Sequence, residues 1–407
     1  MKLNISNSEL DQRILEFGKN IFSRIGESQP SAFQKSFWAG NMMEWSMQFP
    51  KFKTDMFRLV DVLPALRDST AIASHVQEYL AESARELNAL IAWGVNVPPK
   101  SLRAKATSLA VKHGVSHMAQ QFIAGETPTK ATRELKRLRS SGLAFTVDLL
   151  GEYCLSEREA LAYFERYREA LMVFSKEVPQ WKCAHPIMEG HPGESTPICV
   201  SVKLSALYSQ CYALNMTKSV QVLSQRLGDL IRLAAEKNIQ VYIDAEDTSH
   251  NPIIYRVFKS VFGSEEFRSY PYPGIVVQAY AKESESLLRS LLKFAEERGN
   301  PIAVRLVKGA YWDAETVQAS QKNWENPLFE EKHESDRNFE TLTRILFDNI
   351  DLCLPALGSH NIRSLVHGCC YAEALGISKS RYELQMLFGM AEPIARAFQR
   401  EGRLVRL

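Results

Sequence analysis

The feature that most constrains this fold is an alternation of short apolar runs with amphipathic helical segments, which begins near residue 142. Helical segments such as 220–236 and 286–298 repeat their apolar residues with the period of an α-helix. The runs between them suit parallel strands that are covered on both faces. The eight predicted strands are 144–149, 199–204, 240–245, 275–279, 302–307, 353–357, 383–387 and 404–407. This count predicts a (β/α)₈ TIM-type barrel over residues 142–407.

A doubly wound parallel sheet is the main alternative to a barrel. Its dinucleotide-binding version needs a G-x-G-x-x-G turn after the first strand, and no G-x-G occurs among the 20 glycines. The barrel is therefore the better prediction. No helical pattern follows the predicted strand 404–407, so we expect a barrel without an eighth helix and with one uncovered flank.

Residues 1–141 have helical periodicity and no strand-like runs, which predicts a helical N-terminal region ahead of a barrel domain at 142–407. The apolar positions of its first predicted helix are Leu10, Ile14, Phe17 and Ile21. Between residues 100 and 139, nine lysines and arginines accompany only Glu126 and Glu134. Such a stretch indicates either a solvated face or contact with an anionic surface, such as a membrane or a partner.

Composition excludes several classes of protein. Lys and Arg (49) nearly balance Asp and Glu (47), so no overall field favours nucleic acid. No apolar run approaches the roughly 18 residues that span a bilayer, and no signal peptide is apparent, so we expect a soluble, cytoplasmic protein. The seven cysteines lack metal-ligand spacing, and His113 and His117 lack a third ligand. We therefore predict buried, reduced cysteines and no metal site.

Polar residues interrupt the apolar runs near the C-terminal ends of the predicted strands, where barrel enzymes place their chemistry. These residues are Asp148, Glu152, Lys203, Asp244, Glu246, Gln278, Arg305, Lys308, Ser359, His360, Asn361 and Gln385. Arg305 is the most informative, because an unpaired charge inside the run 302–307 would cost several kcal/mol. It forms either a structural ion pair with an acid of the third strand or part of a site. Lys203 is either a Schiff-base nucleophile or a fixed cation beside a carboxylate.

The predicted barrel mouth carries more cationic and hydrogen-bonding groups than acids. Arg305 and Lys308 suit an anionic, phosphate-bearing ligand. Tyr311 and Trp312, which follow directly, offer flat apolar surface for an aromatic ring. The residues thus indicate a barrel enzyme with a large, flat, phosphorylated ligand.

Several motifs together resemble the proline dehydrogenase family, most closely the proline dehydrogenase part of bifunctional proline-utilisation flavoenzymes. The motifs are FRLVDVLPALR (57–67), FTVDLLGE (145–152), VSVKLSAL (200–207), VYIDAED (241–247), IVVQAY (275–280), VRLVKGAYWD (304–313), GSHN (358–361) and YELQMLFGMAEP (382–393). The resemblance covers residues 40–407. It implies an FAD-bearing barrel that oxidises L-proline to Δ1-pyrroline-5-carboxylate by hydride transfer to flavin N5, with electrons passing to a membrane quinone.

The resemblance also implies roles for individual residues. The implied catalytic group is Arg305 with Asp244 and Lys203, and Arg305 is expected near flavin N5. The implied cofactor-binding residues are Val276, Gln278, Arg305, Val307, Lys308, Gly309, Trp312, Ser359, His360, Asn361 and Gln385. The implied substrate-binding residues are Lys203, Asp244, Ala310, Tyr311 and Leu387. A homo-oligomer and peripheral contact with the inner membrane face are further expectations.

One departure from the family pattern concerns the end of the sequence. In the family, the eighth strand leads into a tyrosine and a helix with two arginines that hold the proline carboxylate, and Glu152 resembles a residue that pairs with one of them. Here the sequence stops at 403–407, just before that segment. We therefore expect weak proline binding. The alternatives are an inactive flavin-binding or assembly module and, in another enzyme class, a Schiff-base aldolase that uses Lys203 or Lys308.

Overall fold

A computed structural model describes residues 5–27, 50–85, 122–151, 153–181, 197–390 and 392–407, with isolated positions between 101 and 115. The chain forms two compact units, one of residues 1–26 with 124–407 and the other of residues 27–123. The division into domains at residue 142 stays a prediction. Glu152, Cys183, His117 and much of the basic stretch 100–139 lie outside the described residues.

Eight parallel strands form one sheet in which each strand pairs with the next along the chain. The strands are β1 Val147–Asp148, β2 Ile198–Val202, β3 Ile239–Ile243, β4 Gly274–Gln278, β5 Ile302–Val307, β6 Cys353–Gly358, β7 Glu383–Gln385 and β8 Val405–Arg406. All residues of β2, β3 and β4 are buried, as their continuous apolar runs predict. The predicted (β/α)₈ barrel is confirmed.

The sheet curls until its last strand meets the segment that precedes β1. Ala144 pairs with Arg406 in a parallel bridge. The Ala144 amide donates to Val405 O at 2.9 Å, and the Leu407 amide donates to Ala144 O at 3.0 Å. Each end of the sheet therefore finds hydrogen-bond partners in the other, and neither is left as an open edge.

The helices of the described part of the chain connect and cover these strands. They are α1 Asn7–Glu27, α2 Pro50–Val62, α3 Ser69–Arg85, α4 Pro128–Ser140, α5 Glu157–Glu177, α6 Met216–Glu236, α7 Asn251–Phe262, α8 Ser284–Arg298, α9 Trp312–Lys322, α10 Lys332–Asp348, α11 Ile362–Ala374 and α12 Glu392–Arg400. Among them, none is both long and apolar enough to cross a bilayer. In the unit of residues 27–123, α2 and α3 bury Leu59, Leu63, Ile72 and Val76 together.

Two N-terminal helices cover the barrel near the junction of β8 and β1. Helix α4 contacts α5, and Ser141 at its end accepts hydrogen bonds from Arg396 and Gln399 of α12. In α1, the Phe17 ring lies 6.2 Å from the Phe398 ring of α12. Helix α4 therefore contacts α5 on one side of this junction, and the residue at its end bonds to α12 on the other. The expectation of an uncovered flank stays a prediction.

Two further predictions concern the state of the cysteines and the binding of metal ions. The six cysteines of the described residues are free and buried, as predicted. Within those residues, no group of three His, Cys, Asp or Glu is placed to hold a metal ion.

Candidate functional site

Four charged side chains, each within or directly after a different strand, meet at the C-terminal end of the barrel. The Lys203 ammonium donates to both oxygens of Asp148, at 2.8 and 2.7 Å, and lies 3.3 Å from Asp244 Oδ2. Arg305 Nη1 donates to Asp244 Oδ1 at 2.7 Å. Two cations thus alternate with two carboxylates, and Asp244 links them. All four residues were predicted from the sequence to lie at strand ends, and the structure brings them together.

Arg305 is held from two sides. Its Nη1 also donates to Ser201 Oγ at 3.0 Å, and its guanidinium carbon lies 4.3 Å from the centre of the Tyr242 ring. Burial disfavours its charge, but Asp244 and its other neighbours outweigh burial and raise the pKa of Arg305. Its Nε is buried and has no hydrogen-bond partner among the described residues. Arg305 therefore has both the ion pair expected on structural grounds and a free donor.

The carboxyl of Asp148 has a strongly shifted proton affinity. Burial, followed by the charge of Asp244, raises its pKa to about 6, although Lys203 opposes the shift. Lys203 itself lies between two carboxylates, an arrangement that stabilises an ammonium. A Schiff-base nucleophile must be a free amine. This geometry therefore favours Lys203 as a fixed cation.

At the C-terminal ends of β4 and β5, Gln278 and Gly309 lie against Tyr280. The Gln278 amide nitrogen donates to Glu246 O at 3.1 Å and to Tyr280 Oη at 3.3 Å, while its Oε1 is buried without a partner in the described residues. A Cβ on Gly309, whose φ is +127°, would lie 2.4 Å from the Tyr280 ring. Only glycine fits there without displacing the ring. Nearby, Val276 is buried and Val307 is half-buried.

Lys308 and the Ser359–Asn361 segment have partners within the chain. Lys308 forms an ion pair with Asp336 of α10. Ser359 Oγ accepts from the Asn361 amide at 3.0 Å, and Asn361 caps α11 by accepting from the Ser364 amide at 3.1 Å. These contacts give the segment a defined local structure independent of any ligand.

His360 and Gln385 also hydrogen-bond within the chain. His360 Nε2 accepts from the Leu387 amide at 3.0 Å, and burial lowers the pKa of His360. The imidazole is therefore held neutral, with its Nδ1 as the donor. Gln385 donates to Glu383. Among the predicted substrate-side residues, Ala310 and Leu387 are exposed at the mouth and Tyr311 is half-buried.

A second polar group, not predicted from the sequence, joins the loops after β1 and β3. Tyr153 donates to Asp247, whose Oδ2 lies 3.1 Å from His250 Nδ1. Burial opposes the charge of His250, but the hydrogen bond and charge of Asp247 raise its pKa. Burial, together with the contact to Asp247, raises the pKa of Tyr153. The clustering of Asp and His in 247–250 is a signal, but the partner Tyr153 lies about a hundred residues away and no pattern connects them.

Glu315, which is buried against Tyr280, was not predicted from the sequence either. It accepts from the Tyr280 hydroxyl at 2.7 Å and from the Thr248 amide at 3.1 Å. Its position three residues after Trp312, on the first turn of α9, makes it resemble an ordinary acidic residue at a helix N-terminus. The sequence signal therefore favours a solvated side chain, and only the structure shows its burial.

The comparisons with known proteins agree with this architecture. A family model described as "Proline dehydrogenase" matches residues 131–407, and one described as "Proline utilization A N-terminal domain" matches residues 11–122. The chain belongs to the proline dehydrogenase family. Its predicted membership is thus confirmed.

Relatives of this proline dehydrogenase family member include longer bifunctional proteins. Bifunctional protein PutA of Salmonella typhimurium is 29% identical over 278 residues, which is 68% of this chain and 20% of that protein. Proline dehydrogenase 1 of Bacillus subtilis is 26% identical over 301 residues, 74% of this chain and 84% of that protein. This chain therefore spans about a fifth of the length of the bifunctional relative.

Solved structures match nearly the whole chain. Proline utilization A from Bdellovibrio bacteriovorus, inactivated by N-propargylglycine, is 39% identical, with a TM-score of 0.86 over 98% of this chain and 39% of that one. A Bradyrhizobium japonicum proline utilization A mutant is 21% identical, with a TM-score of 0.72 over 99% of this chain and 41% of that one. The second likeness supports the fold alone.

Proposed function

We propose that this chain is the FAD-dependent proline dehydrogenase part of a proline-utilisation enzyme and oxidises L-proline to Δ1-pyrroline-5-carboxylate. The observation that carries the proposal is the joined cluster of Lys203, Asp244 and Arg305 at the barrel mouth. Each of the three lies in a motif that resembles the family, and the family membership gives the cluster its chemical context.

The residues around the cluster fit FAD. Arg305 Nε is an unused donor and Gln278 Oε1 an unused acceptor within the described residues, and the two lie on adjacent strands. A heteroaromatic ring edged with donors and acceptors can satisfy both. Trp312, whose side chain is 39% exposed, and the space beside Gly309 offer flat contact surface. Bound FAD supplies the electron acceptor for oxidation of a carbon–nitrogen bond.

The chain's own residues hold and polarise the reactants in this proposal. Arg305 stabilises negative charge near its guanidinium, because its ion pair leaves Nε available. Lys203 and Asp244 bind the substrate, whose ring lies against Tyr311, Ala310 and Leu387. Val276, Val307, Lys308, Gly309, Ser359, His360, Asn361 and Gln385 complete the proposed cofactor site. The internal contacts of Lys308, His360 and Asn361 orient them before a ligand binds.

Several partners of the whole enzyme belong to the same proposal. A membrane quinone takes up the electrons, and peripheral contact with the inner face of the membrane brings the protein to it. A homo-oligomer and a cytoplasmic location complete this picture. The flavin-binding module without activity and the aldolase are the competing functions that the experiment below separates.

The test is an absorbance spectrum of the purified chain, reconstituted with FAD, before and after anaerobic addition of L-proline. We expect flavin bands that bleach with L-proline. Flavin bands that do not bleach would favour the inactive binding module, and a chain that takes up no FAD would overturn the proposal. Borohydride trapping of a carbonyl compound on Lys203 or Lys308 would favour the aldolase.

Two variants make this test specific to the cluster. Arg305→Met should slow bleaching at least about a hundredfold, since it removes a positioned charge next to the reacting group. The matched control is Arg289→Met on α8. It makes the same chemical change at a side chain that is 61% exposed to solvent, so it should leave bleaching unchanged.

A further inference from the structure

A series of hydrogen bonds runs from a buried carboxylate to the amide of Gln278 at the C-terminal end of β4. Glu315 Oε1 accepts from the Tyr280 hydroxyl at 2.7 Å, and the Tyr280 oxygen accepts from Gln278 Nε2 at 3.3 Å. Both Glu315 and Tyr280 are more than nine-tenths buried. These hydrogen bonds join α9 to the end of β4, and they end at Gln278, a residue of the proposed cofactor site.

Glu315 determines which group donates and which accepts in each of these hydrogen bonds. A carboxylate only accepts, so the Tyr280 hydroxyl hydrogen points to Glu315 and its oxygen lone pairs face the other way. The backbone amide of Tyr311 also donates toward this oxygen. Gln278 must then present its NH₂ group to Tyr280. The Glu246 carbonyl, which also accepts only, requires the same orientation of the amide.

We infer that Glu315 is a positioning residue which, through Tyr280, fixes the Gln278 amide so that Oε1 faces a ligand N–H group in the barrel mouth. This inference rests on the proposed function in one respect, that the ligand is FAD, whose ring carries N–H groups. Oε1 is buried without a partner in the described residues, so a ligand donor is what satisfies it. The orientation selects a donor and disfavours an acceptor at that place.

Thr248 makes the consequence of a Glu315 substitution predictable. Its backbone amide is a fixed donor to Glu315 Oε2 at 3.1 Å, and its hydroxyl donates to the same oxygen. In Glu315→Gln, the side-chain oxygen must stay with Thr248, so the new NH₂ group faces Tyr280. The Tyr280 hydroxyl hydrogen then points toward Gln278, whose NH₂ group is also a donor. Two donors cannot hydrogen-bond to each other, so the present orientation of the Gln278 amide is disfavoured.

The experiment measures FAD affinity of the apoprotein by flavin fluorescence, and the visible spectrum and midpoint potential of the bound flavin. We expect Glu315→Gln to weaken FAD binding about tenfold, the factor that corresponds to one lost hydrogen bond. Tyr280→Phe should weaken it less, because Glu246 still holds the amide. The double variant should match Tyr280→Phe, so that removing the hydroxyl rescues Glu315→Gln.

A purely structural Glu315 predicts the opposite pattern, in which the double variant binds FAD more weakly than either single variant. That result would overturn the inference, as would Glu315→Gln with the affinity and potential of the unchanged chain. Thermal unfolding of the apoproteins controls for folding. If Glu315→Gln alone does not fold, the comparison of Tyr280→Phe with the double variant still tests the inference. Equal FAD affinities of these two variants support it, and weaker FAD binding by the double variant contradicts it. Failure of the unchanged chain to bind FAD would instead overturn the proposed function.

Discussion

At the scale of single residues, Asp148 is the least ordinary group at the barrel mouth. It shares the Lys203 ammonium with Asp244, and the two carboxylates are close enough for the charge of one to raise the pKa of the other. A raised pKa for one member of such a pair is typical of functional sites, although structural ion pairs produce it as well. Protonation of Asp148 therefore changes the net charge of a cluster in which two cations otherwise balance two carboxylates.

We predict that Asp148 titrates near its shifted pKa of about 6, whereas an ordinary aspartate titrates at about 3.9. Between these values the folded chain binds more protons than the unfolded chain, so stability falls as pH rises through this window and stays lower above it. Carboxyl ¹³C NMR of aspartate-labelled protein measures the midpoint. Asp148→Asn identifies the resonance by its loss.

Asp244→Asn separates the causes of this shift. Removing the Asp244 charge removes one of the two effects that raise the Asp148 pKa, so the midpoint should fall toward the ordinary value. An Asp148 that titrates near 4 in the unchanged chain, or a midpoint that Asp244→Asn leaves in place, would contradict the coupling described here.

The sequence predicts single residues well where a charge interrupts an apolar run. Lys203, Asp244 and Arg305 stand out for this reason, and the structure joins them. Tyr280, Thr248 and Glu315 give no such signal, because each is ordinary at its own position and becomes informative only through partners on other elements. Pairing between distant segments is what a single sequence does not contain.

At the scale of elements, β7 and β8 are joined by a buried ion pair. Arg406 donates from Nε and Nη2 to both oxygens of Glu383, at 2.9 to 3.1 Å, and its Nη1 donates to Phe145 O at 2.8 Å. Both side chains are 1% exposed. One guanidinium thus connects β7, β8 and the segment before β1.

We predict that Glu383→Gln destabilises the chain by about 3–5 kcal/mol, because it leaves the Arg406 charge buried without a full partner. Urea unfolding measures the loss. The matched control is Glu285→Gln, which breaks an exposed i,i+4 pair with Arg289 and should cost no more than about 0.5 kcal/mol. Similar losses for the two variants would show that burial does not amplify the Glu383–Arg406 pair.

Strand periodicity located all eight strands of the sheet, but it overestimated the length of several of them. The run 383–387 becomes a strand only over Glu383–Gln385, and 144–149 only over Val147–Asp148. The apolar residues that follow these two strands belong to the loops of the mouth, where Leu150 and Leu387 are exposed. Hydrophobicity marks such residues as strand, whereas the curvature of the barrel ends their pairing.

At the scale of the whole barrel unit, α1 belongs to the same compact unit as the strands, although more than a hundred residues separate them. Its apolar face includes Leu10, Ile14 and Ile21, all buried in the main core. Arg24 at its end forms an ion pair with Glu401 at 2.6 Å. The amphipathic pattern predicted the helix and its face, but not that the face packs on the barrel.

We predict that Ile21→Ala costs about 2–5 kcal/mol of stability, since Ile21 is fully buried against the core of this unit. Leu15→Ala is the control on the same helix, where the side chain is 59% exposed, and should change stability by no more than about 0.5 kcal/mol. Chemical unfolding followed by tryptophan fluorescence compares them. Equal and small effects would show that α1 does not share the barrel core.

The alternation of strands and helices was sufficient to predict the barrel, because eight parallel strands with intervening helices have few other solutions. It was not sufficient to predict what covers the junction of β8 and β1. There α4 contacts α5, and Ser141 at its end bonds to Arg396. Periodicity marks a helix and its apolar face, but not the element against which that face packs.

The hydrogen bond from Arg406 to Phe145 O has a consequence for the order in which the molecule assembles. Its partners are 261 residues apart, so during synthesis β1 has no neighbour on that side until nearly the whole barrel has left the ribosome. Bringing such distant groups together is slow, and the exposed strand edge is prone to wrong pairing while it waits. Closure then comes late, and contacts made late hold back the rate of unfolding more than they hasten folding. The Arg406 contact would thus lengthen the lifetime of the finished barrel.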